Sequence, residues 1–222
     1  MQKTTCLFIA SFFFYSFVPI DCSYIPPIQS MGHFLAERGM CPATSGNISI
    51  RTDKGLFAVT VSGTDKGNLS DEDVILVDRQ ARPVESSSKP SAEVEIHLAI
   101  YDVLPDVSAI VHHHDLTAVV LSDLMGTATE ITTTGYEIHK AFTSITTHES
   151  SVVIPIFENS QDIPRMAEQV KGYLSSHKNI YGFIIRGHGF YTWGKDMAEC
   201  TKRVQAFSYL FECEYRKKLL VR

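Results

Sequence analysis

Ser108-Ala109-Ile110-Val111-His112-His113-His114-Asp115 is the stretch from which the rest of the chain can be organised. The apolar run Ser108–Val111 reads as a strand that ends in three adjacent histidines. Side chains alternate faces along a strand, so His112 and His114 share one face about 7 Å apart while His113 points the other way. Two imidazoles on one face can grip one cation. Asp115 then has the character of a helix N-cap, with Ala118, Val119 and Leu124 following as the helix it opens.

A third nitrogen is offered by His188, in the glycine-flanked turn Arg186-Gly187-His188-Gly189 directly after the apolar run Tyr181–Ile185. Three nitrogens with an open position make a catalytic arrangement, because structural zinc is usually closed by four ligands, often cysteines. The five cysteines (Cys6, Cys22, Cys41, Cys200, Cys213) lie away from the histidines in sequence and form no C-x-x-C pair. Their odd number and scatter argue against a disulfide scaffold. Imidazoles suit iron, cobalt or nickel as well as zinc. A carboxylate near such a metal can act as general acid/base. Glu137, soon after the histidine segment, is the first candidate; Glu93 is the second, although its spacing alone favours a carboxylate serving a helix dipole.

Outward from this centre the chain has 222 residues, 44% of them hydrophobic, and a net charge of −5. That is the profile of one soluble domain with a full-sized core. Mild acidity and the lack of Lys/Arg clusters, other than Arg216-Lys217-Lys218, argue against a nucleic-acid surface. Residues 4–20 carry no charge and resemble the hydrophobic core of a signal peptide. No small-x-small cleavage site follows, and the run is shorter than the ~20 residues of a membrane span. Residues 1–25 are therefore a signal-like segment before a domain over 26–222, with secretion the minority alternative to a cytoplasmic location.

Within that domain, Pro26-Pro27 opens a helix that stops at Gly39. Residues 47–52 and 56–62 alternate as a hairpin across Asp53-Lys54-Gly55. The small-residue loops over 41–47 and 62–67 leave adjacent strands and could offer N–H groups and hydroxyls to a phosphate. A strand over 74–78, a loop over 81–90 and a helix N-capped by Ser91 precede the histidine strand. Strands over 129–133, 152–157, 181–186 and 190–194, a helix over 162–175 and a long closing helix over 195–220 follow it. This mixture predicts an α/β fold, a three-layer α/β/α sandwich on a mixed, largely antiparallel central sheet.

Residues 43–49 (ATSGNIS), Ser62-Gly63 with Lys66-Gly67, Lys89-Pro90-Ser91-Ala92-Glu93, the His-x-His and the later Gly-His-Gly resemble the class II aldolase/adducin family over roughly residues 27–218. Within it, Gly135-Tyr136-Glu137 with Lys140, residues 153–159 (VIPIFEN) and residues 186–194 (RGHGFYTWG) are similar to the branch that acts on methylthioribulose phosphate. The resemblance implies a class II aldolase-like fold and a lyase of methionine salvage, removing water from 5-methylthioribulose 1-phosphate to leave 5-methylthio-2,3-dioxopentyl phosphate. It implies one Zn²⁺ per subunit on His112, His114 and His188, with Glu137 as catalytic acid/base and Glu93 in support. It places a phosphate pocket at Gly46, Asn47, Ser62, Gly63 and Ser91. A cytoplasmic homotetramer taking a small sugar phosphate, and neither nucleic acid nor membrane, is expected. The alternatives are a sugar-phosphate aldolase or 4-epimerase on the same metal, and a non-catalytic adducin-like module, against which the three histidines count.

Overall fold

A computed structural model of the chain describes residues 22–84 and 86–220. Most of the signal-like segment, residues 1–21, lies outside them; after it a 3-10 turn, Cys22–Tyr24, runs into α1 (Ile25–Ala36). Pro26 and Pro27 sit in the first turn of α1, where a missing N–H leaves no helical bond unmade. The elements that follow are β1 (Asn47–Arg51), β2 (Phe57–Thr60), β3 (Val74–Val77), β4 (Pro83–Val84), α2 (Val94–Val103), β5 (Ala109–His113) and α3 (Leu116–Leu124). Then come β6 (Glu130–Thr134), β7 (Ser151–Phe157), α4 (Ile163–Ser176), β8 (Gly182–Ile185), β9 (Gly189–Gly194) and α5 (Met197–Leu220). Asp115 and Asp162 cap α3 and α4, accepting from the N–H groups of Ala118 and Arg165.

The strands form one nine-stranded sheet in the order β4-β3-β2-β1-β5-β9-β8-β7-β6. Only β7 and β8 run parallel; the other neighbours are antiparallel. One face is covered by α2 and α4, whose Ile96, Ile100 and Val170 pack with Phe57, Phe183 and Trp193. The other is covered by α1, α3 and α5, through Ile28, Leu35, Leu121, Phe207 and Phe211 against Ile48, Val111, Ile154 and Phe190. Helices on both faces explain why β5 and β9 are buried along their whole length. The structure is the α/β/α sandwich expected. It adds β4 inside the segment read as a loop, a strand two residues long on which no alternation can register.

Strand direction decides which residues can meet. β5 is antiparallel to β1 and β9, β1 to β2, and β9 to β8, so the end of β5, the start of β1, the end of β2 and the β8–β9 turn share one end of the sheet, here the upper end. β6 is antiparallel to β7, which is parallel to β8, so β6 finishes at the lower end. Among the described residues no helix is long and apolar enough to cross a membrane.

Candidate metal centre and substrate cleft

The upper end gathers His112 from β5, His114 just beyond it and His188 from the β8–β9 turn, with ligand atoms all within 4.8 Å of one another. Close backbone approach makes this possible. A Cβ at Gly189 would stand 2.6 Å from the His113 carbonyl oxygen and 2.9 Å from Cε1 of His112, so only glycine lets β9 start here. The turn is pinned to α3 by Ser122, whose buried Oγ accepts from the Gly187 N–H at 3.1 Å. The Arg186 guanidinium adds bonds to the carbonyls of Ser122 and Ala128.

Nδ1 of His112 lies 3.1 Å from the Phe190 carbonyl; as the donor of that bond it leaves Nε2 with its lone pair free. That Nε2 is 3.2 Å from Nε2 of His114. Burial, then the neighbouring imidazoles, hold His112 well below its ordinary pKa, and burial above all pushes His114 down to about 4. Both are thus neutral at physiological pH, the form that ligates a metal. The Tyr191 ring backs His112, stacked with centroids 4.1 Å apart. Glu93 completes the cluster: one oxygen is 3.4 Å from Nε2 of His112 and the other 3.2 Å from Nε2 of His188. Neighbouring ligands of a tetrahedral ion with bonds of ~2.1 Å are about 3.4 Å apart, so this donor set fits one metal ion. His113 faces away, fully buried and edge-on to Phe190, as strand alternation requires.

Glu93 is not placed as the sequence suggests. The sequence predicts a helix with Ser91 as its N-cap, but α2 starts at Val94 with Glu93 at the cap position and no side-chain cap bond. Residues 91–93 form a turn instead, with the Ser91 Oγ accepting from the Glu93 N–H at 3.4 Å. Asn47, opposite His112 on β1, turns the carboxylate inward by donating Nδ2–H to Glu93 at 2.7 Å and to Ser91 Oγ at 3.1 Å.

Beside these groups opens a cleft of about 220 Å³ lined by Gly46, Asn47, Ser62, Gly63, Ser91, Glu93, His114 and His188. All five residues of the expected phosphate pocket thus share one cavity with the imidazoles. Gly46 is required there: its φ is +80°, and a Cβ would lie 2.7 Å from the His112 carbonyl oxygen.

Glu137 is not among them. It begins a 3-10 turn, Glu137–Ala141, that follows β6 at the lower end and the far edge of the sheet. There it is ion-paired with Lys140, which holds its carboxyl below the usual range, and lies 3.8 Å from His148 Nδ1. Two residues near the cleft escape sequence reasoning. Lys66 is only 2% exposed although lysines are almost always solvated. His97, on α2, is 1% exposed, with Nδ1 2.7 Å from Ser49 Oγ, which is also 2.9 Å from the Tyr101 hydroxyl. The apolar residues flanking His97 are the one signal that could have revealed its burial.

Residues 27–215 match the family model of the class II aldolase and adducin N-terminal domain. The chain is 45% identical over 187 residues to the methylthioribulose-1-phosphate dehydratase of Marinobacter nauticus, spanning 84% of this chain and 90% of that protein. Identity to the protein of the same name from Hahella chejuensis is 47% over 187 residues, with the same 84% and 90% spans. Among solved structures, L-fuculose-1-phosphate aldolase from Thermus thermophilus superposes with a TM-score of 0.70 at 23% identity, across 88% of this chain and 94% of that one. A histidine cluster at the end of a mixed sheet, glycine loops around its cleft and a sequence match through almost every described element lead to one assignment: the chain belongs to the class II aldolase and adducin family.

Proposed function

We propose that this protein is a methylthioribulose-1-phosphate dehydratase, a zinc-dependent lyase of methionine salvage acting on 5-methylthioribulose 1-phosphate. The observation that carries the reaction is its 45% and 47% identity, over most of both chains, to two proteins of that name. Zn²⁺ held by His112, His114 and His188 would supply Lewis acidity to the substrate's C2 carbonyl and so acidify the C3–H. The chain's own groups do the rest. N–H groups and hydroxyls of Gly46, Asn47, Ser62, Gly63 and Ser91 hold the phosphate. Glu137 takes the C3 proton and gives it up as the C4 hydroxyl leaves as water, after which the enol relaxes to the diketone. Within its own chain Glu137 is at the wrong end of the sheet, so it acts on the cleft of a neighbouring copy. A homotetramer with sites between subunits provides that contact.

A second assignment of the proton carrier is favoured by the position of Glu93, the carboxylate that stands within 3.4 Å of the imidazoles of its own chain. In that case Glu93 moves the proton and Glu137 is dispensable. A sugar-phosphate aldolase or epimerase would use the same cleft and differs in product. Purified protein given 5-methylthioribulose 1-phosphate should form the diketone with loss of water. Carbon–carbon cleavage or inversion at C4 would replace the dehydratase with one of those activities, and a folded protein without metal would exclude all three. We place the catalytic domain over residues 26–222 and the protein in the cytoplasm. N-terminal sequencing that finds a start at or after Cys22 would overturn the location.

A further inference from the structure

Lys66 is a buried cation with no ion pair among the described residues. It opens the 3-10 turn Lys66–Asn68, is 2% exposed and lines the cleft beside Ser62, Gly63 and Ser91. Its Nζ donates to two neutral acceptors, the Thr44 carbonyl at 2.8 Å and the Thr64 carbonyl at 2.7 Å. An ammonium has three N–H donors, so one is left over. Among the described residues no carboxylate lies within ion-pair distance of it: the adjoining Asp65 turns its Oδ1 to the Gly67 N–H at 2.9 Å. A buried charge is costly unless it meets an opposite charge, and lysines this buried are rarely unpaired. Burial accordingly lowers its pKa from the ordinary lysine value.

The surroundings hold this charge in place and leave donors beside it. α1 presses on the backbone of Lys66 so closely that a Cβ at Gly32 would sit 2.2 Å from the Lys66 carbonyl oxygen, which fixes the lysine's base. The carbonyl that Lys66 binds belongs to a strained loop, with Ala43 at φ +50° and Thr44 at φ +65°. The next residue, Ser45, also lines the cleft, and its buried Oγ has no partner. A fixed ammonium short of an anion, an unpaired hydroxyl and two glycine loops form a receptor for a compact, oxygen-rich anion.

We propose that Lys66 is the cation that binds the substrate's phosphate, and that its two bonds to Thr44 and Thr64 tie the loop over 42–45 to the loop over 62–67 so that the phosphate site is formed in advance. This role rests on the dehydratase reading only for the identity of the ester that carries the phosphate; inorganic phosphate probes Lys66 without any turnover.

The zinc-loaded full chain is titrated calorimetrically with inorganic phosphate and assayed with 5-methylthioribulose 1-phosphate, as wild type, Lys66→Met and Lys66→Arg. Lys66→Met should weaken phosphate binding about tenfold or more and raise KM to match, with kcat within about threefold and zinc content unchanged, while Lys66→Arg recovers most of the binding. A loop latch with no anion role would not link phosphate affinity to KM in this way. Phosphate binding or KM within about twofold of wild type in a zinc-replete Lys66→Met protein overturns the proposal. Should Lys66→Met fail to fold, lysine ¹⁵Nζ NMR of the wild type, with the Lys66 signal identified through Lys66→Arg, must show that signal shifting with phosphate, and an unmoved signal overturns it. Phosphate binding through Lys66 without dehydration rejects the reaction alone; dehydration that is indifferent to Lys66 rejects Lys66 alone.

Discussion

Two carboxylates at opposite ends of one sheet show how far position outweighs residue type. Glu93, at the upper end, is 16% exposed, receives a hydrogen bond from Asn47 and sits between two imidazoles. Glu137, at the lower end, is 70% exposed and paired with Lys140 in solvent. Near it, Lys140, Lys195 and Lys202 line a hollow of about 530 Å³, larger than the 220 Å³ cleft at the metal cluster, yet without a ligand set of its own among the described residues. Chemistry follows convergent donors rather than volume. A carboxylate like Glu137 can join such donors only across a boundary between subunits, whereas Glu93 is preset within its own chain.

The sharpest way to break the comparison is to remove the upper end's chemistry. His112→Ala should cost nearly all bound zinc by elemental analysis and ~10³-fold in turnover, because the central ligand is lost from a buried site. Full zinc in that variant would dissolve the metal centre. Next, Glu137→Gln should keep its zinc but lose ~10²–10⁴-fold in turnover. Mixing it with His112→Ala protein under conditions that exchange subunits should restore activity, since a hybrid can pair an intact cluster with an intact Glu137. No restoration, with Glu93→Gln inactive and Glu137→Gln active, would move the proton to the upper end.

His113 tests the same end on the opposite face of β5. Its ring is buried with neither nitrogen bonded, so His113→Ala should retain zinc while losing about 2–4 kcal/mol in urea denaturation through the cavity it leaves. Zinc loss there would mean that the strand register is one residue out, with His113 facing the metal. His97 bears on the pH dependence of stability and not on activity, because burial pushes it down to about 3. It stays neutral in the fold while the unfolded chain protonates near pH 6.5. The unfolded state therefore binds more protons as the pH falls below 6.5, and stability should drop by about 1.4 kcal/mol per pH unit until it levels near pH 3. Denaturation of His97→Leu across that range should have a correspondingly shallower slope, and an unchanged slope would show that His97 does not titrate this way.

Much of this architecture was legible along the chain. The β1–β2 hairpin, the apolar runs of β5, β7 and β8 and the Asp115 cap depend on neighbours a few residues apart, and each appears near its expected place. β4 was not legible because two residues carry no period. The Ser91 cap misled because Ser followed by acidic residues is a real helix signal, overridden here when Asn47, forty-six residues before Glu93, draws the carboxylate into the cluster. The charge of Lys66 gave no hint of its burial.

By itself, the sequence determined the layered α/β fold and the three histidines, since alternation along β5 and a glycine-flanked turn are local constraints that hold wherever the strands lie. Tertiary structure alone decided which carboxylate stands beside them and which lysine is buried without a counter-ion. Both follow from strand direction and from the approach of distant backbones, which set the local dielectric and the available partners, and no short run of residues carries that information.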